Sequence, residues 1–484
     1  MAGQTPAWRR LSKIVCTIGG ASASEDMLSR LIDAGMNVAR LNFSHGDHPW
    51  HRMVCERLRR LSDRVAIMGD LQGPKLRIGR MQDDRSITLE GGATFTLTSR
   101  AVEGTAQMVS IDYLALPREV QPGDTLYLND GLVALRVAVV QHDTDIVCEV
   151  ITGGPLSSRK GINAPGVQLS AHVPTEKDRQ DIRFAVELAL DFLAVSFVST
   201  PEELHQVRAI VHQSGADIPL ISKIERSIAL TNFEAILEAS DGIMVARGDL
   251  AVDIPTEEVP RHQKYIIRLC NRMGKPAICA TQMLESMCLS PIPTRAEVSD
   301  VFNAILDGAD AVMLSAESAV GNYPVEAVQM MGRIAQQAEV TMPWHDHGAF
   351  HVTETAYAES IGHGIATMVE HCARRGERIA AILAITRSGN SARMIAKYRP
   401  GVPIIAVTNN RRVARQLLLC RAVTPMILDA DLSDPPAMTQ AALLQAVGEQ
   451  RLRQDDVVLT VSGTGWAPQS HTNFLGLFAV RDLL

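Results

Sequence analysis

The chain has 484 residues, 46% of them hydrophobic and 21% charged, which excludes a disordered or fibrous protein and predicts about three domains. Forty-seven Lys and Arg against 54 Asp and Glu leave a formal net charge of −7, so a general nucleic-acid binder is not expected. The longest apolar runs fall far short of the roughly 20 residues that cross a bilayer, so no membrane partner is expected either.

The chain opens on a recurring unit: a short apolar, β-branched run, polar residues, then a helical stretch. The runs are KIVCTI (13–18), NVARLNF (37–43), VAIMGDL (65–71), FLAVSF (192–197), LISKIE (220–225), GIMVARGDL (242–250), PAICATQ (276–282) and AVMLSAE (311–317). Between them, stretches such as SEDMLSRLIDAG carry Ser or Thr near the start and Gly at the end, as helix caps require. Apolar runs that alternate with helices predict a parallel sheet buried on both faces. Eight of them predict a (β/α)8 TIM barrel, with an open doubly wound sheet as the alternative.

The rhythm breaks between the third and fourth runs. TFTLTS (94–99), TLYLNDGLVALRVAVV (125–140) and IVCEVI (146–151) alternate in polarity around turn residues such as Asn129, Asp130 and Gly131. They predict an all-β domain inserted into a barrel loop. Farther on, a long helix-like stretch (355–375) precedes AILAIT (381–386), PIIAVT (403–408), VTPMIL (423–428) and DVVLTVSG (456–463), the pattern of a smaller α/β domain. The expected α/β architecture is a barrel (1–74 and 170–341) with an inserted β domain (75–169) and a C-terminal α/β domain (342–484). The start, MAGQTPAWRRLSK, has no apolar h-region, and the eight cysteines never form CxxC. Buried, reduced thiols in a cytoplasmic protein are the expectation.

Catalytic groups of a barrel sit where its strands end. Those ends carry Arg40, Asn42 and Ser44; Asp70; Ser196; Lys223 and Glu225; Asp249; Thr281 and Gln282; Ser315 and Glu317. One Lys, one Arg, several carboxylates and hydroxyls suit a metal-assisted reaction on an anionic substrate. Lys223 and Glu225, one residue apart, face the same way on a strand. Inside a barrel that is costly unless they pair with each other or bind ions. Asp249 can complete a hard-oxygen pair with Glu225, the usual protein share of an octahedral magnesium or manganese site. In the C-terminal region, Thr386, Arg387, Ser388, Gly389, Asn390 and Ser391 form a small, hydroxyl-rich loop before a helix-like stretch. Such a loop is either a phosphate cradle or a plain capped turn.

Over nearly its full length the sequence resembles the pyruvate kinases. The resemblance rests on KIVCTIG (13–19), AGMNVARLNFSHG (34–46), GDLQGPKLRIG (69–79), RKGINAPG (159–166), ISKIERSIAL (221–230), DGIMVARGDLAVDIP (241–255), ATQMLESM (280–287), the stretch 293–328 and the loop 386–391. It implies transfer of the phosphoryl group of phosphoenolpyruvate to ADP, giving pyruvate and ATP, the last step of glycolysis. It places Lys223 beside the transferring group and Arg40 and Arg77 near the phosphates. Glu225 and Asp249 would hold Mg2+ or Mn2+, and Gly248 and Thr281 would contact the substrate carboxylate. Asn42, His45 and Lys160 match nucleotide-side positions, while Ser196 and Ser315 line the site.

The resemblance also makes 386–391 the loop for a phosphorylated allosteric activator, with 462–473 (SGTGWAPQSHTN) as its second side. That second loop departs from the family's usual wording. A sugar monophosphate or nucleoside monophosphate is favoured over a bisphosphate. A homotetramer is the usual family assembly. Pyruvate kinases that need potassium hold it with residues matching Asn42, Ser44, Asp70 and position 71, and usually carry Thr-Lys-Gly-Pro-Glu after that aspartate. Here Asp70 is followed by Leu71, Gln72, Gly73, Pro74 and Lys75. The fixed ammonium of Lys75 is expected to replace potassium, with no potassium requirement. The rivals are another barrel enzyme of phosphoenolpyruvate or pyruvate, such as an aldolase or mutase, and a catalytically silent sugar-phosphate sensor.

Overall fold

In the computed structural model, which describes residues 10–167, 169–170, 172–342, 356–429, 434–463 and 472–484, eight parallel strands close into a barrel. They are Lys13–Thr17, Val38–Asn42, Ala66–Asp70, Phe192–Val195, Leu220–Ile224, Gly242–Ala246, Ala277–Ala280 and Ala311–Leu314. The last pairs with the first, Lys13 opposite Ala311 and Cys16 opposite Leu314. The closed ring settles the choice against an open sheet. Nearly every strand residue is buried, because one face fills the interior and the other packs on helices. The interior carries Val15, Met68, Ile221, Met244, Ile278 and Met313, and its lower end is closed by Leu418 and Leu419 of the C-terminal domain.

The helices start and stop where their caps place them. Ser24 accepts from the Met27 amide at one end of Glu25–Ala34, and Gly35 at φ 114° ends it in the left-handed region that glycine adopts without a Cβ clash. Thr175 with Asp178, and Thr294 with Glu297, form reciprocal capping boxes.

Between the third and fourth barrel strands the chain builds a seven-stranded sheet and a two-stranded one around their own apolar core, which includes Phe95, Leu126 and Ile146. Thr125–Leu128 and Val133–Gln141 form the expected hairpin, with Asn129, Asp130 and Gly131 all at positive φ in its turn. The C-terminal domain follows the helix Ala356–Arg374 and holds a five-stranded sheet. Its four expected strands are parallel. A fifth, Phe474–Ala479, pairs antiparallel at the edge and was not among the predicted runs; it is partly exposed, as an edge strand is.

Two predicted runs divide: AVMLSAE forms a strand only as far as Leu314, and Ala316–Ala319 is a short helix that takes in Glu317. GIMVARGDL forms a strand only as far as Ala246, and Arg247–Asp253 is a short helix. Gly248 and Asp249 therefore sit in a helical first turn, not on a strand end. Charge helps join barrel to C-terminal domain: fully buried Asp191 accepts from Arg59 (2.8 Å) and from Arg415 (2.7 Å). Seven of the eight cysteines are buried, none is in a disulfide, and Cys288 is half-buried. Among the described residues, no helix is long and apolar enough to cross a membrane.

Candidate active site

The fifth barrel strand carries Lys223 into the mouth of the barrel, 9% exposed. Its ammonium donates to Ser196 Oγ (2.7 Å) and lies 2.9 Å from Glu225 Oε1 and 3.4 Å from Asp70 Oδ1. Asp70 Oδ2 accepts from Arg40 Nε (2.6 Å), and Arg40 Nη1 donates to Thr17 Oγ1 (2.9 Å). Five strand ends are thereby tied into one buried network. Burial alone would raise the Asp70 carboxyl, but the Arg40 and Lys223 charges and hydrogen bonds hold it below the ordinary range. Burial opposes the charged form of Lys223 too, and Asp70 and Glu225 outweigh it, so the ammonium is held above its ordinary value. Both ions are charged at neutral pH.

Glu225 behaves differently. Burial first, and then the Asp249 charge, push its carboxyl up against the pull of Lys223. Its Oε2 accepts from the Phe197 amide (2.7 Å), while buried Oε1 makes no hydrogen bond although the Lys223 ammonium is close. A buried carboxylate oxygen with a lone pair to spare, facing a second carboxylate, fits a divalent cation. Among the described residues no group of three or more His, Cys, Asp or Glu forms a metal cage. Glu225 and Asp249 would thus hold a hard cation jointly with substrate oxygens.

Thr281 follows the seventh strand at φ 69° and Gln282 at φ 54°. A β-branched residue in that region is strained, and such strain persists only where the surroundings impose it. Here Arg247 imposes it: Nη2 donates to Thr281 O (2.7 Å) while Nη1 pairs with Asp300 (2.7 Å). Thr281 Oγ1 accepts from the Gly248 amide (2.9 Å), which joins the loops after the sixth and seventh strands. Glu317 does the same one strand on, accepting from the Leu284 amide (3.0 Å) and the Ser315 amide (2.7 Å). The Ser315 hydroxyl is buried with no partner among the described residues and makes no side-chain cap bond to the helix it precedes.

On the other side of the mouth, Asn42 Oδ1 accepts from the Ser44 amide (3.1 Å), and His51 Nε2 donates to His45 O (2.9 Å). The His45 imidazole is held below its ordinary value by burial and then by Arg77, Arg40 and Lys75, so positive charge converges there. Arg77 ends one strand of the inserted sheet, and Lys160 immediately precedes the strand Gly161–Asn163 that pairs with it: Arg77 Nη1 donates to Arg159 O (3.0 Å), and the Ile78 amide to Lys160 O (2.9 Å). Lys75 Nζ lies 3.2 Å from Asp249 Oδ1. A cavity of about 700 Å³ opens beside it, between barrel loops and inserted domain, walled by Lys75, Leu76, Asn163, Phe197, Glu225 and Arg226.

The loop 386–391 lies far along the chain, in the C-terminal domain. Buried Thr386 accepts from the Gly389 amide (2.9 Å), and Gly389 sits at φ 89°. Arg387, Ser388 and Asn390 are exposed, and Ser391 Oγ meets Thr472 Oγ1 at 2.6 Å, bringing the 462–473 loop alongside. Residues 464–471 of that second loop lie outside the described residues. Three site features escaped the sequence reading. Thr17 is the last residue of the first strand, a polar strand end like those that were read. Arg247 stood inside an apparent strand, where a buried arginine was itself the signal. The Phe197 amide carries no sequence signal.

Residues 9–328 match the family model described as pyruvate kinase, barrel domain, and residues 363–477 that described as pyruvate kinase, alpha/beta domain. Pyruvate kinase 2 of Synechocystis sp. is 42% identical over 489 residues, covering 99% of this chain and 81% of that protein. Pyruvate kinases of Staphylococcus aureus (strain MRSA252) and Staphylococcus saprophyticus are 43% and 42% identical, each match covering 98% of this chain and 81% of the relative. With both family models matched in the order in which the fold sets out its parts, the chain belongs to the pyruvate kinase family.

Proposed function

We propose that the network around Lys223 carries the phosphoryl transfer of this enzyme, with its residues in distinct roles. The chain is a phosphotransferase that converts phosphoenolpyruvate and ADP to pyruvate and ATP. The observation that carries the assignment of roles is the Lys223 ammonium, fixed between Ser196, Asp70 and Glu225 with the Glu225 Oε1 lone pair unused. Phosphoryl transfer leaves a protein little covalent work, so positioning and charge neutralisation dominate. Lys223 neutralises charge on the transferring group. Arg40, oriented by Asp70 and Thr17, and Arg77 bind phosphate oxygens through their planar forks. The Gly248 amide region and Thr281 hold the substrate carboxylate, and Ser196 and Ser315 line the pocket. Asn42, His45 and Lys160 face the nucleotide. Glu225 and Asp249 hold the Mg2+ or Mn2+ ion, which supplies charge neutralisation between substrate oxygens when bound. Protonation of the enolate is assigned to a water relay past Thr281, because a hydroxyl of ordinary pKa is a poor acid.

Lys75 replaces the monovalent cation, so the enzyme works without potassium. The loop 386–391 takes a phosphorylated activator, a sugar monophosphate or nucleoside monophosphate. The partition at 75–169 and 342–484 is supported by the separate apolar cores of the inserted and C-terminal sheets. Self-association, as in the homotetramers of the family, is supported by exposed Leu289 (82%), Ile292 (66%) and Val320 (69%), grouped by the bond from the Asn322 amide to Cys288 O. A cytoplasmic location is part of this reading, and the free, mostly buried cysteines support it. The test is ADP-dependent formation of pyruvate from phosphoenolpyruvate by the wild type, and its loss in Lys223→Met. An aldolase or mutase would consume substrate without ADP. A silent sensor would show no turnover in either form.

A further inference from the structure

The loop 43–47 joins the second barrel strand, Val38–Asn42, to the helix His48–Leu61, and it carries His45. The path of such a loop is set by the groups that take up its backbone N–H and C=O. At its start the Phe43 amide donates to Asp70 O (3.0 Å), and Phe43 O accepts from Lys177 Nζ (2.8 Å). The Ser44 amide turns back to Asn42 Oδ1 (3.1 Å), and the His45 amide to Asn42 O (3.1 Å). At its end Asp47 caps the helix and accepts from the Trp50 amide (2.9 Å). Between these anchored ends the His45 carbonyl is taken up by one side chain: His51 Nε2 donates to it across 2.9 Å.

His51 stands one turn into the helix and is 2% exposed. Its ring meets the Phe43 ring edge-on, with centroids 5.0 Å apart, and the Trp50 ring in the same way at 4.9 Å. Burial holds the imidazole below its ordinary value, against the pull of the His45 carbonyl and of Asp181, so the ring is neutral at neutral pH. Its Nδ1 is buried with no partner among the described residues, which leaves the single ring proton on Nε2. Gly46, at φ 73°, lies on the same two rings: a Cβ there would stand 3.3 Å from Trp50 Cε3 and 3.5 Å from His51 Nε2. An apolar side chain would fill this place without the cost of an idle buried nitrogen. What the imidazole adds is one directed hydrogen bond to the loop.

The course of the loop matters because positive charge gathers at its tip, where Arg77, Arg40 and Lys75 act on the His45 imidazole. We propose that His51 is a positioning residue for ADP: by holding the His45 carbonyl it fixes the backbone that presents His45 to the nucleotide. This role rests on the assignment of Asn42 and His45 to the nucleotide side. It leaves phosphoenolpyruvate, assigned to Lys223, Gly248 and Thr281, untouched.

The test is a split between the two substrates. His51→Leu keeps most of the packing and removes the donor. Its KM for ADP should rise about fivefold to tenfold, the factor that one ordinary hydrogen bond is worth. Its kcat and its KM for phosphoenolpyruvate should stay within about twofold, the pattern of lost ground-state binding. His51→Gln, whose amide nitrogen reaches the place of Nε2, should restore the KM for ADP. An unchanged KM for ADP in His51→Leu would overturn the proposal. So would a joint change in kcat and both KM values that glutamine does not rescue, since that marks a packing residue. Should the leucine variant not fold, His51→Asn, too short to reach His45 O, is held to the same outcomes. His45→Ala separates the role of His51 from the assignment beneath it. A KM for ADP raised in His45→Ala and not in His51→Leu would overturn the positioning role alone. No change in His45→Ala would overturn the nucleotide-side assignment, and the proposal with it.

Discussion

Lys75 Nζ stands 3.2 Å from Asp249 Oδ1, each side chain about one-quarter exposed. The pair ties the segment that leads into the inserted sheet to a residue of the candidate metal site, although 174 positions separate them in sequence. The contact is partly screened, so its worth is positional more than energetic. It holds an ammonium beside the carboxylate that faces Glu225 and close enough to His45 to depress that imidazole.

On the proposed reading, this fixed cation stands in for a mobile one and would repel a potassium ion nearby. Wild-type rates in potassium and in tetramethylammonium buffer should agree within about twofold. Lys75→Glu removes the charge, places a third carboxylate near Asp249 and Glu225, and should create a potassium requirement of about tenfold or more in kcat/KM, roughly 1.4 kcal/mol. A wild-type rate that falls tenfold when potassium is withdrawn counts against the assignment.

Lys223→Met should lower ATP formation by about 10² to 10³, the ~3–4 kcal/mol typical of one charge aimed at a transition state. The metal ligands stay, and enolate protonation need not pass through this lysine. Exchange of pyruvate protons with solvent should therefore survive better than phosphoryl transfer. Equal loss of both activities would mean that Lys223 holds the site together and no more. Its bonds to Ser196, Asp70 and Glu225 make that outcome worth separating, through the urea midpoint of the variant.

How much of this was legible in the sequence differs residue by residue. Lys223 and Glu225 were readable because strand alternation puts every second side chain on one face, and they do meet at 2.9 Å. The eight-strand ring was readable because burial on both faces leaves unbroken apolar runs. Asp249 was found but misplaced: GIMVARGDL reads as one run, while Arg247 turns away to clamp Thr281 and starts a helix. The lone pair on Glu225 Oε1 has no sequence signature at all. It depends on how segments more than 25 residues apart approach one another, which periodicity does not encode. The edge strand Phe474–Ala479 was missed for a related reason, since its partner Val457–Ser462 supplies the pairing.

As the proposed metal ligand, the raised Glu225 carboxyl should set the acid limb of the rate. Its pKa lies above the ordinary value because of burial and Asp249, so on acidification the ligand is lost to a proton at a pH above about 4.5. A divalent ion competes with that proton. Raising magnesium should therefore move the acid limb of kcat/KM to lower pH, and an acid limb indifferent to magnesium would detach Glu225 from the metal. Asp249→Asn should raise half-saturating magnesium by about tenfold or more, since even outer partners of a metal ligand are worth about 10–100-fold.

In the proposed effector loop 386–391 the inner side is already closed. Thr386 Oγ1 is committed to the Gly389 amide, and Arg393 Nη1 to Ser388 O and Asn390 Oδ1. What faces outward is Arg387, the Ser388 hydroxyl and the amides at the start of Asn390–Lys397, with Ser391 linked to Thr472 across the gap. A phosphate there would meet one guanidinium and a helix N-terminus, and a coupling of roughly 1–3 kcal/mol to phosphoenolpyruvate binding is typical of allosteric pairs. Replacing Ser388 and Ser391 together by Asp puts two negative charges where the phosphate would lie. Activation by sugar or nucleoside monophosphates should disappear, while the rate without activator stays within about twofold. Gly389→Ala should weaken activation by a separate route. Its φ of 89° strains any L side chain, and the new Cβ would stand 2.9 Å from Arg393 Nη1 and 3.2 Å from Leu417 Cδ2. Displacing Arg393 would unfasten the loop without adding charge. If the double aspartate variant responds to the activator as the wild type does, the effector binds elsewhere on the molecule.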